Sequence, residues 1–259
     1  MQSFKSPELL LRRAKTHIAE FEALEKRFVE SKPYRQFIEN DPENGDILHK
    51  ASITADMPEF LPVILFDALN CMRSSLDHAV FDSSIVLTGR ANPKYTKFPF
   101  GGTKEQAANE LKRKHSEVPE CMHPFLLAFG PFDPQNGGNK ALYGLNEMRN
   151  GKIHRTLTEA AIAIQSIGFG AGYIGKMIGN ILSVWDRNKR ELTYMRLSVS
   201  ENVHININIS VFVAFDEGTT FVKQPAVATL KELLGIIEGI VAAIKAETAR
   251  LSPHGSTPA

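Results

Sequence analysis

The sequence predicts an α+β protein: long helices packed around a central helix at 60–87, a C-terminal antiparallel sheet and a final amphipathic helix. Three observations carry this. At about 100° per residue, Leu61, Ala68, Leu69, Met72, Leu76, Ala79, Val80, Val86 and Leu87 share one broad side of a helix. Residues 203–215 change period: Val203, Ile205, Ile207, Ile209, Val211, Val213 and Phe215 alternate with His204, Asn206, Asn208, Ser210, Phe212 and Ala214, as in a strand covered on one face. Val227, Leu230, Leu233, Leu234, Ile237, Val241 and Ile244 then return to helical spacing. A chain of 259 residues, 43% hydrophobic, can bury a core of this size. One domain is expected over 1–251, helical through 157 and sheet plus helix from 158, with a disordered tail at 252–259.

In chain order, Ser6-Pro7-Glu8 reads as a helix start, with Ser6 as cap and Pro7 at the first helical position. Leu10, Ala14, Ile18, Phe21, Leu24 and Phe28 continue it, and it ends near Ser31, before Pro33. Tyr34 to Ile38 and Ile47 to Ile53 flank the turn signal Asp41-Pro42-Glu43-Asn44-Gly45 and predict a β-hairpin. Pro58 and Pro62 fit only the start of the central helix. Residues 89–102 are loop-like. Thr103 caps a helix expected to run to about Ser116, and residues 119–129 form a short apolar helix. Gly130 to Gly138 is a loop, and Leu142, Leu145 and Met148 mark a helix weakened at Gly151. Strands follow at 159–167, 181–185, 191–198 and 203–215; Asp186 to Arg190 makes a hairpin of the middle pair.

The formal charge is +1, from 30 basic and 29 acidic residues. No global field therefore recruits nucleic acid or an anionic membrane, and such binding would need a local patch. Cys71 and Cys121 lack metal-site spacing and read as free thiols in a reducing compartment. The first residues carry no apolar signal core, and the longest uncharged run, 160–175, is too short and glycine-rich to span a bilayer. A cytoplasmic protein without cofactor or metal is expected.

Opposite the apolar side of the central helix lie Asp67, Asn70, Arg73, Ser74, Asp77, His78 and Ser84. A solvated face shows lysine and glutamate, as Lys231, Glu232, Glu238 and Lys245 do on the last helix. Short polar groups around one arginine suit a cleft or a semi-buried network instead. Arg73 and Asp77, at i and i+4, can pair. An arginine followed five residues later by a histidine occurs three times, at Arg12/His17, Arg73/His78 and Arg149/His154. With 13 arginines and eight histidines, chance gives about 0.4 such pairs. The spacing sets the two side chains about 140° apart, bordering one polar cleft. Such a pair suits metal-free RNA cleavage, the histidine moving protons and the arginine stabilising phosphorane charge. His154 and Arg155 are a further candidate for phosphate or carboxylate contact. Asp77, His78 and Asp82 make a weaker metal reading with no second cluster.

Gly170-Ala171-Gly172-Tyr173-Ile174-Gly175 has the Gly-x-Gly-x-x-Gly form of a dinucleotide fingerprint. The context opposes it: Lys176 to Trp185 contains Gly179 and Asn180, turns strand-like, and no acidic residue ends the next strand. A glycine-rich bend between strands is the alternative.

Asp67-Ala68-Leu69-Asn70-Cys71-Met72-Arg73-Ser74-Ser75-Leu76-Asp77-His78 resembles the central helix of a bacterial protein family of uncharacterised function. That family has an Arg-Ser-x-Leu-Asp-His segment after an N-terminal helix and hairpin, and a later Lys-His-Arg segment. Lys152-Ile153-His154-Arg155 departs from the latter by one isoleucine. The Arg73/His78 spacing is also similar to HEPN ribonucleases, helical proteins whose Arg-x4-His motif works across a dimer. Ser74 departs from the usual residue after that arginine, and the β-rich C-terminal third is foreign to a plain HEPN bundle. The resemblance implies a metal-independent ribonuclease acting on RNA as a homodimer, with His78 as acid/base, Arg73 on phosphate, and Asn70 and Asp77 orienting them. The alternatives are a non-catalytic binding or assembly module in which the same residues form a structural network, and nucleotide binding at Gly170–Gly175.

Overall fold

The computed structural model describes residues 4–150, 160–169, 179–186, 189–197, 207–215 and 219–252. Among them are six α-helices and six strands: α1 (Lys5–Glu30), β1 (Tyr34–Asn40), β2 (Ile47–Ile53), α2 (Phe60–Thr88), α3 (Lys104–Leu111), α4 (His123–Ala128), α5 (Lys140–Asn150), β3 (Ala160–Phe169), β4 (Gly179–Asp186), β5 (Glu191–Leu197), β6 (Ile207–Phe215) and α6 (Ala226–Leu251). The class is α+β, as expected. The chain divides into two compact units that interleave along the sequence: Met1–Glu22, Pro62–Ala160 and Phe215–Ala259 in one, Ala23–Leu61 and Ala161–Ala214 in the other.

The first unit is helical and is built on α2. Leu65, Ala68, Leu69, Met72, Leu76 and Ala79 are fully buried along its apolar side. That side ends earlier than its periodicity predicts. Val86 is exposed, whereas Ser84, expected on the polar arc, is buried and donates its hydroxyl to Val80 O at 2.9 Å. A serine can satisfy itself inside a helix in this way, so hydrophobicity alone misplaces it. Near the same end Thr248 of α6 donates to Ser83 Oγ at 2.7 Å. α6 lies antiparallel to α1, since Lys231 pairs with Glu22 (2.7 Å) and Lys245 with Glu8 (2.6 Å).

α3 is capped by Thr103, whose side chain accepts the Gln106 N–H, but it stops at Leu111 rather than near Ser116. Ala107 and Leu111 are its buried residues, while Lys112, Arg113, Lys114 and His115 are all exposed. With no apolar residue left to bury, three consecutive cations have no reason to stay helical. Residues 130–138, expected as plain loop, include a single 3₁₀ turn at Pro134–Asn136 capped by Asp133. No helix among the described residues is long and apolar enough to cross a membrane.

The second unit holds a four-stranded sheet in the order β1-β2-β5-β4 and the pairing of β3 with β6. The predicted N-terminal hairpin forms, with Tyr34 opposite Ile53 and Asn40 opposite Ile47. The sheet is not supplied only by the C-terminal third, however. β2 pairs antiparallel with β5 across the gap in sequence, Ile47 opposite Leu197 and Ser52 opposite Glu191. The reason is burial: Ala51, Tyr194, Met195 and Leu197 form one apolar cluster that also takes Val29, Tyr34 and Ile47. Lys50, nearly buried, is neutralised by Glu39 and by Glu191 at 3.7 Å. The period-two pattern also fails at the end of β6, where Val213, Ala214 and Phe215 are all buried.

His49 sits against Tyr194, ring centres 6.2 Å apart, and burial pushes its imidazole below the ordinary value. A histidine harder to protonate when folded leaves the unfolded chain binding the extra proton. Stability is therefore fully present above the unfolded value of about 6.5 and falls as pH drops through the folded value. Thermal melts from pH 7.5 to 5 should show this decline, and His49→Gln should flatten it; an unchanged slope would remove His49 as the cause.

Candidate functional site

The polar arc of α2 separates into two environments. Its middle is dry. Arg73 is 7% exposed, and its guanidinium lies over the Phe100 ring, 4.1 Å from the centroid. Arg73 Nε donates to Asn146 Oδ1 of α5 at 3.3 Å, and Nη1 faces Asp77 Oδ1 at 2.5 Å. That last contact is an ion pair by distance only, because Nη1 is not directed as a hydrogen-bond donor. Asp77 Oδ1 also accepts the Phe98 N–H at 3.0 Å. One arginine thus ties three segments together: α2, the 98–100 stretch and α5.

Continuity of these segments is set locally. Phe98 is buried, and its ring meets Phe100 and Phe129 at 5.1 and 6.3 Å. α5 is preceded by Asn139, whose Oδ1 accepts the N–H groups of Ala141 (2.9 Å) and Leu142 (3.2 Å), a side-chain cap. Leu142, Leu145 and Met148 are buried, which leaves Asn146 on the side that reaches Arg73. Asn150 Nδ2 donates to the same Asn146 Oδ1 at 2.9 Å.

The C-terminal half of the arc is open. Ser74, Asp77, His78, Phe81 and Asp82 of α2 line a cavity of about 430 Å³ together with Ser6, Pro93, Thr96 and Lys97. This lies within the range of small-molecule sites. His78 is exposed, and its Nδ1 is 2.7 Å from Ser6 Oγ. Asp82 Oδ2 accepts the Phe4 N–H at 2.8 Å. Asp77 is already neutralised by Arg73. Lys97 is exposed and has no ion-pair partner among the described residues. Among the described residues Asp77 is paired with Arg73, Asp82 holds a backbone N–H but no cation, and Lys97 is the unpaired ammonium of the lining.

Arg73 and His78 do not meet: no hydrogen bond or ion pair joins them, and Arg73 does not line the cavity. Asn70, half-buried one turn earlier, does not line it either. Asp77 is the one candidate that belongs to both environments. His154, Arg155 and the Gly170–Gly175 motif lie outside the described residues, as do most of the 252–259 tail and the weakening at Gly151. Of the other Arg-x4-His pairs, Arg12 is exposed while His17 is buried, 3.8 Å from Glu20, so they share no cleft. Among the described residues no group of three histidine, cysteine or acidic side chains can hold a metal ion, Asp77, His78 and Asp82 included. Burial first, and then the Asp67 charge, push the half-buried Cys71 thiol up, away from reactivity.

Sequence reasoning missed Ser6, Lys97, Phe100 and Asn146 as parts of these sites. Ser6 reads as a helix cap, but α1 already begins at Lys5, and the Ser6 hydroxyl goes to His78 instead. Phe4 takes the position before the helix, buried and with its N–H on Asp82. The signals for Lys97, Phe100 and Asn146 are tertiary and have no local pattern. No protein-family model, no curated protein and no solved structure matches this chain.

Proposed function

We propose that this protein binds a small acyl or carboxylate-bearing molecule in the cavity on the C-terminal half of α2, and that Arg73 is part of the scaffold. One observation carries the reading: the Arg73 guanidinium is withdrawn from the cavity and held by Asp77, Asn146 and Phe100. What remains in the cavity is the unpaired Lys97 ammonium, the Asp82 carboxylate held by the Phe4 N–H, three hydroxyls, the His78 imidazole and the apolar faces of Phe81 and Pro93. A charged head beside Lys97 and an apolar body against Phe81 match that lining.

Benzoate is a suitable probe. Titrated into the labelled protein, it should shift the ring signals of His78 and Phe81 together, and Ser74→Trp, which fills the cavity, should abolish the shift. Unmoved signals at millimolar benzoate, or shifts that persist in Ser74→Trp, would overturn the reading.

A second reading, metal-independent RNA cleavage by His78, is favoured by the solvent-open imidazole on the cavity wall. It requires a phosphate-binding arginine other than Arg73, such as one from a second copy of the chain. RNA cut by the wild type and spared by His78→Ala would favour it over ligand binding alone.

A further inference from the structure

We propose that Ser6 and His78 form a nucleophile–base pair that hydrolyses small carboxylic esters bound in the α2 cavity. This rests on the cavity binding an acyl ligand and adds a covalent step to it. Ser6 Oγ and His78 Nδ1 are 2.7 Å apart, and both residues line the cavity. With the ring proton on Nε2, Nδ1 accepts the hydroxyl proton, the arrangement that activates a serine.

The pair is held from behind. Asp82 is one turn beyond His78 on α2, and its Oδ2 takes the Phe4 N–H at 2.8 Å. Phe4 is 2% exposed, with a backbone φ of 65°, a left-handed conformation that a bulky residue keeps only when its surroundings impose it. Pro7, buried, follows Ser6 directly and fixes its own φ. These anchors place the first turn of α1 on α2 and present Ser6 to His78 from rigid elements.

The site also holds one cation and a helix N-terminus that can meet a developing oxyanion. Lys5 and Ser6 open the 26-residue helix α1, so their N–H groups precede its hydrogen-bond ladder at the positive end of the dipole. Lys97 lines the same cavity as Ser6. Such groups stabilise a carbonyl oxygen as it gains charge.

Ser6 Oγ attacks the ester carbonyl carbon while its proton passes to His78 Nδ1, forming the Oγ–C bond. Collapse of the tetrahedral adduct breaks the bond to the alkoxy oxygen, which takes the proton from His78 and leaves as an alcohol. Water then attacks the acyl group on Ser6 and gives its proton to Nδ1. The acid departs as Ser6 Oγ recovers that proton, and no oxidant or reductant is consumed.

The test is covalent labelling of the full-length protein with an alkyl fluorophosphonate, read by intact mass and peptide mapping. One adduct on Ser6 is expected, together with hydrolysis of p-nitrophenyl acetate. Ser6→Ala should lose both while keeping the wild-type melting temperature, and His78→Gln should label at least tenfold more slowly. No adduct on Ser6, or equal labelling rates in His78→Gln and the wild type, would overturn the proposal. If benzoate still shifts Phe81 in the wild type, that outcome removes the covalent step and leaves the binding reading; if it does not, both fall.

Discussion

Arg73→Ala should destabilise the helical unit by about 3 kcal/mol, a drop in melting temperature of about 6–10 °C. The substitution removes three things at once. The Asp77 carboxylate, 23% exposed, loses its cation and keeps only the Phe98 N–H as a partner. Asn146 loses the Nε donor, and Phe100 loses the plane stacked on its ring. Breaking one partner out of a largely buried pair costs more than the pair itself contributes, because the remaining charge is stranded. The stacked contact adds about 1 kcal/mol. Arg73→Lys should recover only part of the loss, since an ammonium cannot donate to Asn146, face Asp77 and lie flat on Phe100 together. A melting temperature within 1–2 °C of wild type for Arg73→Ala would mean that the network is solvated rather than internal.

Gly138→Ala should be as damaging, by about 3 kcal/mol, although no site residue is touched. A Cβ there would lie 1.8 Å from the Phe132 carbonyl oxygen and 2.4 Å from its carbon. Backbone cannot yield as a side-chain tip can, so the 130–139 loop must open. It is closed by Gly138 N–H to Asp133 O (3.0 Å), Asn139 N–H to Gly130 O (2.7 Å) and Phe132 N–H to Gly130 O (2.7 Å). On one side it holds Gly101, whose N–H donates to Pro131 O at 3.1 Å, next to Phe100. On the other it places Asn139, the cap of α5. Both segments converge on Arg73, so the variant should lower the melting temperature and loosen the Arg73 contacts together. Wild-type stability in a calorimetric scan would contradict this account of the loop.

The long elements were legible because their patterns are local. α1, α2 and α6 follow from apolar residues at helical spacing, and the β1–β2 hairpin from two strand-like runs around Asp41–Gly45. The pairing of β2 with β5 was not legible, because an alternating strand does not name the partner it will share a face with. Ser84 and Val86 were misplaced for a related reason: a serine bonded to its own helix is cheap to bury, and helical phase does not say where the covering elements end. The unusual composition of the α2 arc was readable: short polar groups around one arginine, without lysine or glutamate. Its division into a dry half around Arg73 and an open half around His78 depends on Phe100, Asn146 and Ser6, which arrive from three other segments.

That division is tested most directly by following Arg73 in the benzoate titration. The Arg73 Nε–H signal should be protected from solvent exchange, show contacts to the Phe100 ring, and stay in place while His78 and Phe81 shift. An Arg73 signal that exchanges as fast as exposed Arg12 and Arg113, or that moves with His78 as benzoate binds, would contradict the account.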